Sequence, residues 1–245
     1  MGAWSDAGIP WATVAETTRA RHEGIDAMDR LSFPSEGGIE LEGEIRRPDG
    51  PPRGSAVLCH PHPLFGGSKD HPILWAVRAA LARIDLAVLS FNFRGVMGSG
   101  GSHGGGRGEM ADCRAAIDCV RRHAGDGPTL LFGWSFGANV ALRVTVEDER
   151  VAALALCGVP LDGHGRDLPP LPGDDRLASI GRPVLICVGG ADEISPLDRA
   201  RDLAARIPGA ELAEFRAAGH YFPGRERDLA ERVAAFSRTE LLGPR

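Results

Sequence analysis

The chain has 245 residues, a net charge of −5 and no sustained run of Lys or Arg, which argues against nucleic acid or an anionic membrane surface as its main partner and leaves a small-molecule substrate open. With 43% hydrophobic and 25% charged residues it is long enough to bury a large core in one globular domain, and no apolar run approaches the roughly 18 residues that a membrane helix needs. The five cysteines lie in apolar or helix-like runs with no C-x-x-C pair, the pattern of free buried thiols in a reducing compartment, and residues 1–29 lack a charged-then-apolar signal pattern, so a cytoplasmic location is expected.

Residues 1–29 mix charges with Thr and Ala and read as an N-terminal extension, either a flexible tail or a short helix lying on the domain. Residues 30–245 read as one domain, with no internal repeat and no linker. The stretch 39–48 alternates apolar and polar residues and predicts a half-buried strand. Residues 55–60 form a short apolar run stopped by His-Pro, a buried strand. From Pro72 to Ile84 the apolar residues recur at helix spacing, and 86–93 is the next buried strand. A glycine-dense loop spans Gly95 to Gly108, after which Met110, Cys113, Ile117 and Val120 mark a helix. A strand at 129–134 runs into a helix at 136–148. Two more buried strands, 151–159 and 183–190, flank a Pro-rich insert, Gly158 to Gly181, which is too short for a separate lid domain and predicts a modest loop over any site. A helix from Pro196 to Ile207, a weaker strand at 210–215 and a last helix striped by Leu229, Val233 and Phe236 complete the chain. Buried strands alternating with helices predict an α/β fold, a mostly parallel central sheet with helices on both faces. The first strands come without helices between them, which predicts an antiparallel edge.

In Gly133-Trp134-Ser135-Phe136-Gly137 a lone hydroxyl stands at the end of an apolar strand with a glycine two residues to either side. A sharp strand-to-helix turn crowds those two positions, and glycine removes the clashing side chains. The pattern matches the G-x-S-x-G nucleophile elbow, which projects its serine above the sheet beside a helix N-terminus that favours an oxyanion. The blander reading is a Gly-rich turn whose serine caps the helix.

A serine hydroxyl needs a base, and the base needs an acid to orient it. In elbow hydrolases the chain order is Ser, acid, His. Of the two histidines after Ser135, His220 follows the 210–215 strand and is preferred as base over His164, which sits in the insert. Asp192, just past the 183–190 strand, is the preferred acid; its neighbour Glu193 is expected to point away, and Asp162 is the fallback. An oxyanion hole takes one N–H from Phe136 and one from the loop 60–67, where Pro61 and Pro63 cannot donate and His62 can, with Leu64 second. Gly66 and Gly67 leave room for a substrate, and Phe65, Trp134 and Tyr221, together with Phe136, are candidates to line the site.

The segments HPHPLFGGSKDHPI, FNFRGVMGSGGS, GRGEMADCRAAID and GWSFGA, in that order, resemble a group of small, lidless bacterial α/β-hydrolases related to dienelactone hydrolases and acyl-peptidase-like enzymes. The resemblance extends from about residue 31 to residue 240 and implies Ser135 as nucleophile, Asp192 as acid and His220 as base. Lys69 and His71 stand where that pattern has Met and Asn, and the glycine loop is longer here; these departures leave the three residues alone and bear on the shape of the pocket rim formed by 95–108 and 158–181.

Two readings compete. His60, His62, Asp70 and His71 superficially resemble a metal cluster, but the prolines fix the backbone and no further ligand set is obvious, so no metal is expected. His60 is expected instead to end a strand and hydrogen-bond locally, and His71 to begin a helix. A non-catalytic binding protein on the same fold is the other. The glycine loop lacks the G-K-[ST] ending of a phosphate loop. Within it His103 is expected to be exposed, while Arg94 pairs with Glu109 or Asp112 or stays solvated. The expected function is a serine hydrolase that acts on a small carboxylic ester through an acyl-enzyme, with no cofactor. A thioester or an amide would use the same machinery, and nothing in the sequence sets the oligomeric state.

Overall fold

The computed structural model describes residues 28–161 and 168–243. Its strands are β1 (Met28–Pro34), β2 (Glu40–Arg46), β3 (Gly54–Cys59), β4 (Leu86–Phe91), β5 (Thr129–Trp134), β6 (Val151–Cys157), β7 (Val184–Gly189) and β8 (Glu211–Phe215). They form one sheet in the order β1-β2-β4-β3-β5-β6-β7-β8. From β4 to β8 every pairing is parallel, while β1–β2 and β2–β4 are antiparallel, as the missing early helices predict. The parallel strands β3 to β7 are buried along their whole length or nearly so, which is why they read as continuous Val/Leu/Ile/Ala runs.

The helices are α1 (Pro72–Ala82), α2 (Arg107–Ala124), α3 (Phe136–Glu147), α4 (Asp174–Ala178), α5 (Leu197–Ala205) and α6 (Glu226–Glu240). Two hydrophobic layers result. Cys113 and Ile117 of α2, Val140 and Val144 of α3 and Leu203 of α5 pack on one face of the sheet. Ile73 and Val77 of α1 and Leu229, Val233 and Phe236 of α6 pack on the other. All five cysteines are buried and free. Among the described residues no helix is long and apolar enough to cross a membrane.

Strand β1 revises the N-terminal boundary. Met28 and Asp29, assigned to the extension, pair with Arg46 and Ile45 at the sheet edge. Only Phe33 of β1 is buried, so the strand carries little of the apolar patterning that marks the others. The rest of the expected extension lies outside the described residues. The Pro-rich insert also differs from expectation. It contains α4, and Pro169 and Pro170 accept hydrogen bonds from Asn139 and Arg143 of α3, so this stretch is strapped onto α3.

Local geometry explains the two elbow glycines. A Cβ on Gly133 would stand 2.3 Å from the Gly137 carbonyl oxygen, and one on Gly137 would stand 2.3 Å from that of Cys59. Both obstacles are backbone and cannot swing aside. The N-terminus of α3 is thereby pressed against the carboxyl end of β3.

His60, the next residue after β3, ties the loop that follows to the chain after β4. Its Nδ1 donates to the Pro61 carbonyl (2.7 Å) and its Nε2 accepts the Phe93 N–H (3.0 Å). Burial lowers its pKa to about 4. A second tie is a buried ion network. Glu44 of β2 accepts from Lys69 (3.0 Å) and from Arg78 of α1 (3.1 Å). Burial opposes the Lys69 charge, but hydrogen bonds to Glu44 and Asp70 outweigh it and hold the ammonium above its usual pKa.

Two outcomes follow for stability. Gly137→Ala should lower the unfolding free energy by about 3 kcal/mol in urea titration, because the backbone must move to admit the methyl. The unfolded chain takes up a proton at His60 near pH 6.5, and the folded chain does so only near 4. This contribution is therefore whole above about pH 6.5 and is lost as pH falls toward 4. His60→Asn should be less stable at pH 7, since the shorter side chain cannot span both partners, yet should lose less stability than wild type between pH 6.5 and 4.

Candidate active site

Ser135, Asp192, His220 and the loop after His60 all lie past the carboxyl ends of parallel strands, where sites form in α/β sheets. Ser135 joins β5 to α3 with φ 55° and ψ −120°, a left-handed conformation that a non-glycine residue adopts only under constraint. The flanking backbone contacts supply that constraint. The serine makes no side-chain cap to α3, contrary to the helix-cap reading. Its Oγ lies 2.9 Å from His220 Nε2 instead.

His220 follows β8, and its Nδ1 lies 2.9 Å and 3.1 Å from the two carboxylate oxygens of Asp192. Asp192 follows β7, and its Oδ1 accepts the backbone N–H groups of Ile194 and Ser195, each at 2.8 Å, so the carboxylate is held from two sides. Glu193 is exposed, as expected. All three of Ser135, His220 and Asp192 are buried. A carboxylate accepting at Nδ1 leaves Nε2 as the basic nitrogen facing the serine hydroxyl. The alternatives Asp162 and His164 lie outside the described residues.

Phe136 is the first residue of α3, so its N–H has no acceptor within the helix. The loop after β3 turns through a single 3-10 turn, Pro63–Phe65, capped by His62. The His62 carbonyl accepts from Phe65 and Gly67, and its ring packs against Phe65 and Phe136. The Leu64 N–H is spent on His62 Nδ1 at 3.2 Å, which removes Leu64 as the second choice for an oxyanion donor.

A cleft of about 200 Å³ opens over Ser135 and His220. Phe65, Gly66, Gly67, Trp134 and Tyr221 are among the residues that line it. Trp134 is nonetheless fully buried, with its indole N–H donated to the His220 carbonyl (3.2 Å), while Phe65 and Tyr221 are exposed at the rim. Phe136 packs on Phe93 and is not part of the lining. Sequence reasoning missed Pro61, His71 and Ile194. His71 was hidden by its place before Pro72, where it reads only as a helix cap. That cap is real, since its Nδ1 accepts the Ile73 N–H, but the ring reaches the cleft as well.

The expected rim loops do not form the cleft among the described residues. Residues 95–108 are pinned to β2 through Glu40 and Glu42 and to the start of α2. Asp112 is fully buried and takes a two-point ion pair from Arg94, and Glu109 accepts the N–H groups of Gly104 and Gly106. His103, expected to be exposed, is a correction. Its side chain is 10% exposed, its Nδ1 lies 2.9 Å from Glu109, and its ring packs on His62 and Phe136. The glycines around it let the loop close over the ring. As for the metal-like cluster, its side chains are turned to local partners. His60, His62 and His71 accept backbone N–H groups, and Asp70 pairs with Lys69. Among the described residues no three His, Cys, Asp or Glu are grouped so that they could hold a metal ion.

Known proteins carry the same architecture. The family described as the alpha/beta hydrolase fold matches residues 57–176. A lidless a/b serine hydrolase from Xanthomonas campestris superposes with a TM-score of 0.76 at 26% identity, covering 89% of this chain and 97% of that one. An alpha-beta serine hydrolase homologue from Coxiella burnetii superposes with a TM-score of 0.74 at 28% identity, covering 84% and 96%. An uncharacterized protein of Rickettsia prowazekii (strain Madrid E) is 29% identical over 169 residues, 68% of each chain. The chain has the α/β-hydrolase fold, and the Xanthomonas campestris protein on which it superposes is a serine hydrolase.

Proposed function

We propose that the protein hydrolyses small carboxylic esters through an acyl-enzyme on Ser135. The observation that carries this reading is the continuous relay from Ser135 Oγ through His220 to Asp192, built on a strained elbow. In it, His220 Nε2 takes the hydroxyl proton as Ser135 Oγ attacks the ester carbonyl carbon. Asp192 keeps the imidazole in the right tautomer and stabilises its charged form. The negative oxygen that develops is held by the N–H groups of Phe136 and His62, with the N-terminal end of α3 adding its partial positive charge. Collapse of the tetrahedral intermediate releases the alcohol, which takes the proton from His220. His220 then removes a proton from water as it attacks the acyl-enzyme, and the acid leaves. The chemistry needs no cofactor. Phe65, Trp134 and Tyr221 hold the substrate.

The size of the cleft supports a small substrate. About 200 Å³ is below the roughly 300–1,000 Å³ of sites for drug-sized ligands. Thioesters and amides are open to the same machinery, and an ester is favoured because a small, exposed site best serves a reactive acyl group.

The test is a chain-length series of p-nitrophenyl esters. Wild type should turn over the short chains, with kcat/KM falling as the acyl chain outgrows the cleft. Ser135→Ala should lose about four to six orders of magnitude in turnover with its melting temperature nearly unchanged, and Asp192→Asn about three to four orders. Equal activity of wild type and Ser135→Ala would discard the assignment.

A further inference from the structure

His71 lines the cleft but takes no part in the relay or the oxyanion site. It is held on two sides. Its ring lies on Trp134, with centroids 4.2 Å apart, and its Nδ1 accepts the N–H of Ile73 at the start of α1 (3.3 Å). A ring nitrogen that accepts carries no proton, so the neutral imidazole carries its proton on Nε2. Burial lowers the His71 pKa to about 4, with Glu226 pulling the other way, so the ring is neutral at ordinary pH. Among the described residues no acceptor takes the Nε2 proton, and this nitrogen is not one of the polar atoms sealed in the core.

We infer that His71 is a specificity-determining residue whose Nε2–H donates to an uncharged acceptor oxygen, an ether, hydroxyl or carbonyl, carried by the substrate beside its scissile ester. This rests on the esterase reading above. The His71 ring touches Trp134, and Pro61, Phe65 and Ile194 give the cleft further apolar surface, so outside the Ser135–His220 pair His71 adds a fixed donor to the lining. The stack and the cap orient the ring before substrate arrives, and little rotamer freedom is left to lose on binding. An all-alkyl substrate leaves the donor unpaired, which is how a polar group in a pocket discriminates against an isostere lacking its partner. The small volume of the cleft keeps the acceptor within a few bonds of the reacting carbonyl.

Two isosteric ester pairs test this. p-Nitrophenyl methoxyacetate against p-nitrophenyl butyrate places the oxygen in the acyl part. 2-Methoxyethyl acetate against butyl acetate places it in the alcohol part. In His71→Phe, which keeps a ring on Trp134, the ether-to-alkyl ratio of kcat/KM should fall about tenfold in one of the two pairs. The alkyl member of that pair should hold or rise, because the donor it left unpaired is gone. His71→Asn, which keeps a cap for α1, should lower the same ratio and so separates the donor from helix stability. Nitrogen-15 chemical shifts of the His71 ring should report a neutral Nε2–H tautomer at pH 7. Turnover with both ratios unchanged, or an Nδ1–H tautomer, overturns this proposal alone. Absence of Ser135-dependent turnover of all four esters overturns the esterase reading, and this proposal with it.

Discussion

Backbone against backbone at Gly137 is the contact on which the site depends. The first turn of α3 presses so closely on the Cys59 and His60 carbonyls that a single methyl does not fit between them. That contact brings the end of β5 beside the end of β3. It holds Ser135 in a conformation that its side chain alone disfavours, and it sets the Phe136 N–H beside the loop that carries His62. Van der Waals exclusion by main-chain atoms is short-ranged and rigid, so the geometry it imposes does not relax. The proposed reaction needs that rigidity, because the attacking oxygen must keep one direction while the proton leaves.

The loop from Pro61 to His71 closes on itself at Gly67, where a Cβ would stand 2.1 Å from the Pro61 carbonyl oxygen, and buried polar groups tie it to the rest of the fold. His60 spans to Phe93, Asn92 accepts the Lys69 N–H (2.8 Å), and Lys69 reaches Glu44 on β2. Each of these groups is partnered, as burial demands. A buried ion pair such as Lys69–Glu44 adds little net stability against a hydrophobic alternative, but it admits one arrangement and penalises others. Here it fixes where the 61–67 turn sits relative to Ser135. The same loop ends in His71, so the element that carries His62 also brings a third histidine ring to the cleft.

The relay residues were legible because each combines a rare local pattern with a forced position. Ser135 is marked by its glycines, and the order of the chain leaves few partners behind it. Asp192 follows an apolar run that reads as a buried strand, and His220 follows the weaker, partly exposed strand β8. The parallel sheet then carries strand ends to one side, so residues 85 and 28 positions apart from their partners in sequence meet within hydrogen-bond distance. Other assignments failed for equally physical reasons. The edge strand β1 buries little, so its apolar alternation is weak. The glycine loop looks solvated because glycine carries no hydropathy signal, yet glycine is what lets it close over His103. His71 obeys a local rule as a cap, and that rule conceals a second role which exists only once Trp134 lies beneath the ring.

What the amino-acid sequence determined by itself was periodic or local: buried strands, amphipathic helices, the strained turn at Ser135 and the order of the groups around it. These follow from burial, from steric exclusion and from chain order, all of which are written along one dimension. Tertiary structure alone decided which side chains share the cleft, that Pro169 and Pro170 of the Pro-rich insert are strapped to α3, and that His71 faces the cavity while His103 does not. Those outcomes depend on which surfaces meet across the sheet. Contact between distant segments is a matter of shape and of partnered polar groups, and no run of neighbouring residues encodes it.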